Sequence, residues 1–500
     1  MRSLLAAAAA LLLIQGCAST RFENTPLQPG KANVERRAVD VSHADRPLIL
    51  VALSGGGSRA AALGWVVLRE LRKYGYTSSE GATRSLVDDI SVISSVSGGS
   101  VIGAQFALDG AAGLDRFEPD FLALDNTGTL GAEALNPLNW LTSAFSGTSR
   151  SDLVEQLFDR RLFGQKTFAD LNQPGKPYLI LNATDMASGE VFAFTPQRFD
   201  DICSDLDAQS IASGVAASAA VPVAFTPIAL HNYSGERCAG VPMPGWITKR
   251  LGGTYAPYVN VDAYKLARYA YDLRHGKDRF RQIDHVYLLD GGLADNLAVH
   301  GLLEVLSSPY AAPVIAPRGP GIAPETVLDA INTGRLRKVV VIVVNARADP
   351  ANKISQTPTR PGIFGMIGAV VSLPIDSATG SVNAQMDSLL SQFNAAAGGV
   401  PPGTVGAPAS FTGMKVYGIE IDFDQLRPSD PVQRALRDKA KEIPTLWTIS
   451  KANLDVIEGA GTTLLRQHPC FQRLLNDLAI RAEFVDVTYA MKGCRQASDP

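Results

Sequence analysis

The chain has 500 residues, 46% hydrophobic and 19% charged, with a formal net charge of −3. That is enough for one large domain or two to three ordinary ones around a sizeable core. The near-neutral balance, with no long basic run, argues against nucleic acid as a partner.

The first sixteen residues stand apart from the fold. Arg2 gives a positive start, and Leu4 to Ile14 is an apolar run of Leu and Ala. It is shorter than the roughly 20 residues a membrane-spanning helix needs, and its layout is that of a secretory signal. Ile14-Gln15-Gly16-Cys17 resembles the bacterial lipoprotein lipobox, with Gln15 its less usual residue. The resemblance implies cleavage before Cys17 and lipid on its thiol and new amino terminus. From Ala18 in the next position it also implies an outer-membrane address. Several acyl chains, at about 0.8 kcal/mol per buried methylene, would hold the protein on a membrane. A plain secreted protein cut near Ala18 or Ser19 is the alternative. Residues 17–45 are polar, with Pro26, Pro29 and Gly30, and read as a lipidated tether lifting the globular part off the membrane.

Pro47 to Leu53 is a continuous apolar run, the mark of a strand buried on both faces of a parallel sheet. It leads into Ser54-Gly55-Gly56-Gly57-Ser58-Arg59. A helix follows, with Ala61, Leu63, Trp65, Val66, Leu68 and Leu71 at its apolar positions. Strand, glycine loop and helix together make an anion-binding arrangement, because the first helical N–H groups are unpaired. The loop lacks the G-x-G-x-x-G of a dinucleotide site and the Gly-Lys-Ser/Thr end of a P-loop. An oxyanion hole beside a serine nucleophile is the third reading. Arg59 adds a positive charge there and is a candidate anion or head-group contact; a surface residue of the first turn is the plainer reading.

The next strand supplies the serine. Asp89 to Val96 is β-forming and breaks at Ser97-Gly98-Gly99; a helix resumes with Val101, Ile102, Ala104, Phe106 and Leu108. A serine at the apex of a sharp strand-to-helix turn, among small residues, has the form of a nucleophile elbow. Ser95 stands where the usual pattern has its first glycine. An ordinary Ser/Gly turn is the competing reading.

Gly55-Gly56-Gly57-Ser58-Arg59 followed by Ser95-Val96-Ser97-Gly98-Gly99 resembles the patatin-like phospholipases. So does Leu289-Asp290-Gly291-Gly292 at the end of a later apolar strand. Val215 to Phe225 is similar to the family's Ala-Ser-x-Ala-x-Pro segment; read from its residues, it is a small-residue helix closed by Pro222 and able to pack tightly. The resemblance covers roughly residues 45 to 300. It implies a three-layer α/β/α sandwich with a mainly parallel sheet. It implies Ser97 as nucleophile, Asp290 as general base and the N–H groups of Gly55, Gly56 and Gly57 as oxyanion hole. It also implies a phospholipid or other acyl-lipid substrate, with no metal and no diffusible cofactor. Ser54 departs from the family, where an acid is common.

Alternatives stay open. His300, ten residues beyond Asp290, is the base a Ser–Asp–His triad would use, and His468 lies further downstream. A soluble-ester esterase, an acyltransferase or a non-enzymatic envelope lipoprotein would use the same fold differently. Cys203, Cys238, Cys470 and Cys494 form an even set in an exported chain and are disulfide candidates. Sequence order favours Cys203–Cys238 and Cys470–Cys494, but three connectivities exist. No Cys/His cluster has metal-ligand spacing.

The rest reads as strands at Tyr178–Ala183, Glu190–Phe194, Lys338–Asn345 and Lys415–Ile421, a helix at Asp262–Leu273, mostly helix over 431–480, and a short strand at Phe484–Tyr489. Thr184 and Asp185 read as an Asx-type turn near the site. Ala134–Leu141 and Gly362–Val371 are candidates to meet lipid, the second as a lid or as a buried core helix. Division into a catalytic domain at 46–350 and a packed, mostly helical extension at 351–500 follows.

Overall fold

The computed structural model describes residues 22–33, 46–78, 81–135, 149–222, 224–238, 241–252, 261–274, 283–307, 314–316, 325–326, 330, 335–348, 414–494 and 496. The signal at 1–16, Cys17, the apolar stretch at 362–371 and all but the first two residues of 134–141 lie outside them.

One sheet organises the molecule. Its strands are β1 (Leu48–Leu53), β2 (Ile90–Ser95), β3 (Tyr178–Asp185), β4 (Val191–Ala193), β5 (Ile228–His231), β6 (His285–Asp290), β7 (Lys338–Asn345) and β8 (Lys415–Asp422). They lie in the order β8-β7-β1-β2-β3-β6-β5, with β4 on β3. From β8 to β3 every pairing is parallel; β6 runs antiparallel to both β3 and β5. The main helices are α1 (Gly57–Leu71), α2 (Gly98–Phe117), α3 (Ile211–Ser218), α4 (Val261–Arg274), α5 (Val299–Ser307), α6 (Pro431–Glu442), α7 (Lys451–Gln467), α8 (Pro469–Asp477) and α9 (Val487–Gly493).

The alternation of strand side chains sorts the helices into two layers. Ile49, Val51 and Leu53 of β1 join the core made with α1, α2 and α7. Leu48, Leu50 and Ala52 face the other way, onto Leu302, Val305 and Leu306 of α5. Every residue of β1 is buried, which is why its sequence is apolar without a period. The expected three-layer sandwich is the observed one.

Three expectations change. Residues 22–33, inside the stretch read as a tether, lie on the fold: the Leu27 N–H donates to the Cys203 carbonyl at 2.9 Å, and Leu27 is buried. The division at 350 cuts through the sheet, because β8 pairs with β7 from Lys338↔Lys415 to Asn345↔Asp422. The strand at Phe484–Tyr489 is instead the entry to α9. There the Asp486 carboxylate accepts the Tyr489 N–H at 3.0 Å, an N-cap that turns the chain into a helix. The structure joins Cys203 to Cys238 and Cys470 to Cys494.

Candidate active site

β2 ends at Ser95 and α2 begins at Gly98, leaving Val96 and Ser97 to make the whole turn. Ser97 has φ 52° and ψ −120°, a conformation an L residue adopts at a cost of about 1–3 kcal/mol. The surroundings impose it. A Cβ on Gly99 would lie 2.5 Å from the Leu53 carbonyl oxygen and 2.6 Å from that of Ser54. Glycine there lets the start of α2 pack directly on the backbone of the β1 loop. Ser95, in place of the elbow's first glycine, is fully buried, and its hydroxyl reaches the Ile180 carbonyl at 3.4 Å.

Asp290 ends β6 beside Ala183 of β3. Its carboxylate accepts a hydrogen bond from the Gly292 N–H at 2.8 Å, and the Ser97 hydroxyl lies close enough to favour its ionised form. Burial pushes the carboxyl up to about 6, and the Gly292 N–H and the Ser97 hydroxyl oppose that rise. The structure therefore brings together the two residues expected to act, although they are far apart in sequence.

A third segment fixes both turns. The Ser97 N–H donates to the Ser218 hydroxyl oxygen at 3.0 Å, and the Gly291 N–H donates to the Ser218 carbonyl at 3.1 Å. The Asp290 N–H donates to the Ala220 carbonyl at 2.9 Å. Ser218 in turn donates to the Asn182 carbonyl at 2.6 Å. The Thr184 hydroxyl donates to the Asp290 carbonyl at 2.9 Å, while Asp185 accepts the Ala187 N–H at 3.1 Å in the expected Asx-type turn. Sequence reading gave the Ser218 segment a packing role only; its hydroxyl ties the elbow to the sheet.

The glycine loop is less uniform than expected. The Gly55 N–H donates to the Asn296 carbonyl at 2.9 Å, so it is already committed. The N–H groups of Gly56 and Gly57 have no acceptor among the described residues. Gly56 sits just before α1 with φ 136°, and Gly57 opens α1 with φ 59°. Both conformations suit glycine, and the first N–H groups of a helix have no intrahelical acceptor. Ser54 holds the loop to the end of β7: its N–H donates to Val344 at 3.0 Å, and its hydroxyl accepts the Ala346 N–H at 2.9 Å.

Arg59 is neither a head-group contact nor a surface residue. It is buried, with Nε donating to the Ala346 carbonyl at 2.8 Å, Nη1 to the Ile443 carbonyl and Nη2 to Thr445 Oγ1 at 3.4 Å. Burial pushes the guanidinium down to about 10. The physical reason is satisfaction of carbonyls: β7 and α6 end beside Arg59, and a forked donor pairs the carbonyl that follows each at once. The strap at 443–448 continues over the loop, where Leu446 C=O accepts the Ser58 N–H at 2.7 Å and Thr448 C=O accepts the Ser58 hydroxyl at 3.2 Å. No local signal in residues 443–448 announced this.

The histidine alternatives lie elsewhere. The His300 N–H donates to Asp295 at 2.7 Å at the start of α5, and the groups that act on the Asp290 carboxyl, the Gly292 N–H and the Ser97 hydroxyl, include no histidine. His468 caps α8 by accepting the Cys470 N–H at 3.2 Å, and burial pushes it down to about 4. Among the described residues three carboxylates, Glu23, Asp152 and Glu155, come within 4.8 Å of one another; none belongs to the Ser97–Asp290 pair.

Solved structures of human GIVD cytosolic phospholipase A2 are similar to the chain. One has 10% identity and a TM-score of 0.39, covering 87% of this chain and 63% of that one. Another, in complex with methyl gamma-linolenyl fluorophosphonate, has 11% identity and a TM-score of 0.35, with 87% and 60% covered. The chain thus spans less than two thirds of either structure's length. No curated protein matches the sequence. A family model described as patatin-like phospholipase matches residues 51–303, a span that takes in the glycine loop, the elbow serine, the Ser218 segment and Asp290, and the chain belongs to the patatin-like phospholipase family.

Proposed function

We propose that the protein is a serine lipid acyl hydrolase of phospholipase A or lysophospholipase type, acting through a Ser97–Asp290 dyad and an acyl-enzyme. The observation that carries this reading is the juxtaposition of the Ser97 hydroxyl with a buried carboxylate lifted to about 6. A carboxyl near 4 is a feeble base at neutral pH; one near 6 takes a proton more readily and is still ionised.

The steps balance on the residues present. Ser97 Oγ attacks the acyl carbonyl carbon as its proton passes to Asp290. The carbonyl π electrons move to oxygen, and the N–H groups of Gly56 and Gly57 hold that charge. The tetrahedral species collapses, breaking the bond to the lyso-lipid alkoxide, which takes the proton from Asp290. Water then attacks the acyl-enzyme, giving its proton to Asp290. The fatty acid leaves as Ser97 Oγ regains a proton.

The reading extends to address and organisation. Cleavage before Cys17 and acylation of that residue would hold the enzyme on the bacterial envelope, at the outer membrane, beside its substrate. Two disulfides suit such an oxidising compartment. The catalytic unit begins near residue 46 and draws on the C-terminal segment for β8 and the loop strap.

The test is fatty-acid release from mixed phospholipid micelles, with a chelator present, by wild type, Ser97→Ala and Asp290→Asn. Release by wild type and its loss in both variants is expected. Full activity in Asp290→Asn would overturn the dyad. Turnover of short-chain soluble esters alone would overturn the lipid assignment.

A further inference from the structure

We infer that the β5–β6 end of the sheet is the face that lies against the lipid bilayer, held there by the amino-terminal arm. This rests on acylation of Cys17 in the reading above and adds to it an orientation.

The arm is fastened at its very start. The Glu23 N–H donates to the Ala229 carbonyl of edge strand β5 at 3.1 Å. Asn24 pairs with His231 as a backbone neighbour would: its Nδ2 donates to the His231 carbonyl at 2.8 Å, and its Oδ1 accepts the His231 N–H at 2.8 Å. Asn33, further along, accepts the Leu206 N–H at 2.7 Å and donates to the Ser204 carbonyl at 3.0 Å. The arm therefore covers an open sheet edge, which otherwise invites pairing with other chains.

Reach follows from covalent geometry. Five Cα–Cα steps separate Cys17 from Phe22, so the lipid-bearing residue lies within about 18 Å of Phe22 in any conformation. A long polar tether would let the domain turn freely; a latched arm does not.

The surface at the latch carries aromatic and apolar side chains. The Phe22 ring stacks on His285 at 4.7 Å and meets His231 edge-on at 5.5 Å. His285 and Tyr287 point to the same side of β6, and His231 is register partner to His285. Met186 donates its N–H to the Tyr287 carbonyl at 2.8 Å, and continuing the β3–β6 register sets it opposite Tyr287 on that face. Phe22 is 37% exposed, Tyr287 39% and Met186 61%. One exposed apolar side chain is ordinary; three on one face beside the anchor form a patch. Glu236, 3.5 Å from His231, and the carboxylates of Glu23, Asp152 and Glu155 bound it. Tyr287 precedes Asp290 by three residues on the same strand, about 10 Å. The Asp290 side chain, an odd number of positions on, points to the other face of the sheet.

The experiment places a nitroxide on Met186→Cys and, separately, on Val432→Cys of the full, processed chain. Val432 is 69% exposed on α6, which follows β8, the strand at the opposite sheet edge, in the chain. The protein is bound to vesicles of phosphatidylethanolamine and phosphatidylglycerol, and its relaxation by oxygen is compared with that by a water-soluble nickel chelate. The ratio should rise severalfold at 186 on vesicle binding and stay unchanged at 432. A water-exposed label at 186 in protein shown by mass to carry acyl chains on Cys17 would overturn the orientation while leaving the hydrolase reading intact. An unacylated Cys17 would overturn the anchor and the orientation together. Absent lipid hydrolysis with a lipid-exposed label at 186 would sink the function and uphold the face.

Discussion

Replacing Asp290 with asparagine should abolish turnover and at the same time stabilise the fold. The carboxyl is lifted from 3.8 to about 6 chiefly by burial, so its ionised form is disfavoured in the folded protein. At about 1.4 kcal/mol per tenfold change in proton affinity, the difference is roughly 3 kcal/mol. The folded state holds the proton more tightly than the unfolded chain. The stability associated with the neutral carboxyl is present below 3.8 and is lost as pH rises through about 6. Asparagine is neutral throughout, keeps an acceptor for the Gly292 N–H and can donate to Ser97. Relative to wild type, Asp290→Asn should therefore gain up to about 3 kcal/mol at about pH 8 and almost nothing at about pH 4. Denaturant unfolding of both proteins at the two pH values, with disulfides intact, reads this directly. Comparing pH values cancels any packing difference between the two side chains. Activity at about pH 8 should fall by about 10²–10⁴-fold, the usual worth of a positioned general base. An equal difference at both pH values, or a variant less stable at the higher one, would refute the burial argument. The wild-type rate should itself drop as pH falls through about 6, because Asp290 then carries the proton it needs to accept.

Ser218→Ala removes the acceptor of the Ser97 N–H and should cost about 1–3 kcal/mol of stability and slow fluorophosphonate labelling of Ser97. Arg59→Met leaves the buried carbonyls of Ala346 and Ile443 without this donor, at about 1–3 kcal/mol each, and should lower labelling; Arg59→Lys should restore only part, lacking the fork. Gly99→Ala forces a Cβ to within 2.5 Å of the Leu53 carbonyl oxygen and should cost about 3 kcal/mol or prevent folding, seen as a lower melting temperature or loss of soluble protein. Joint replacement of Cys203 and Cys238 by serine opens a loop spanning 35 positions, should cost about 4 kcal/mol, and should speed proteolysis of residues 22–33, which dock beside Cys203.

The sheet was legible because β1 and the Val339–Val344 run of β7 are buried on both faces and must be apolar; Leu48–Leu53 and Lys338–Asn345 could read as little else. The elbow was legible because its geometry requires small residues in consecutive positions. Arg59 was misread because charge predicts exposure, and only the carbonyls of Ala346 and Ile443, hundreds of residues away, reverse that. Residues 22–33 were misread for the same reason: Asn24 and Asn33 look like linker residues until their backbone partners are known. The commitment of the Gly55 N–H to Asn296 is equally nonlocal. Local pattern carries elements and turns; long-range hydrogen bonds between polar residues have no local signature.

The separation of Ser97 from Asp290 is set by a third element. Ser97 follows β2 and Asp290 ends β6, strands that are not neighbours; β3 lies between them. Strand spacing alone would put their ends about 10 Å apart, too far for a hydrogen bond. Two features close the gap. β3 runs on past Leu181, the partner of Ser95, so that β6 can pair antiparallel with its last residues and bring Asp290 to Ala183. The strained turn at Ser97 then swings the hydroxyl over β3 toward it. Ser218 receives both ends of this bridge, the hydroxyl oxygen taking the Ser97 N–H and the carbonyl taking the Gly291 N–H. A helix of small residues is needed there because anything larger would hold the two turns apart. On the dyad reading, that segment does the orienting work that a triad assigns to a third charged residue, and it does so without placing another charge near the buried Asp290.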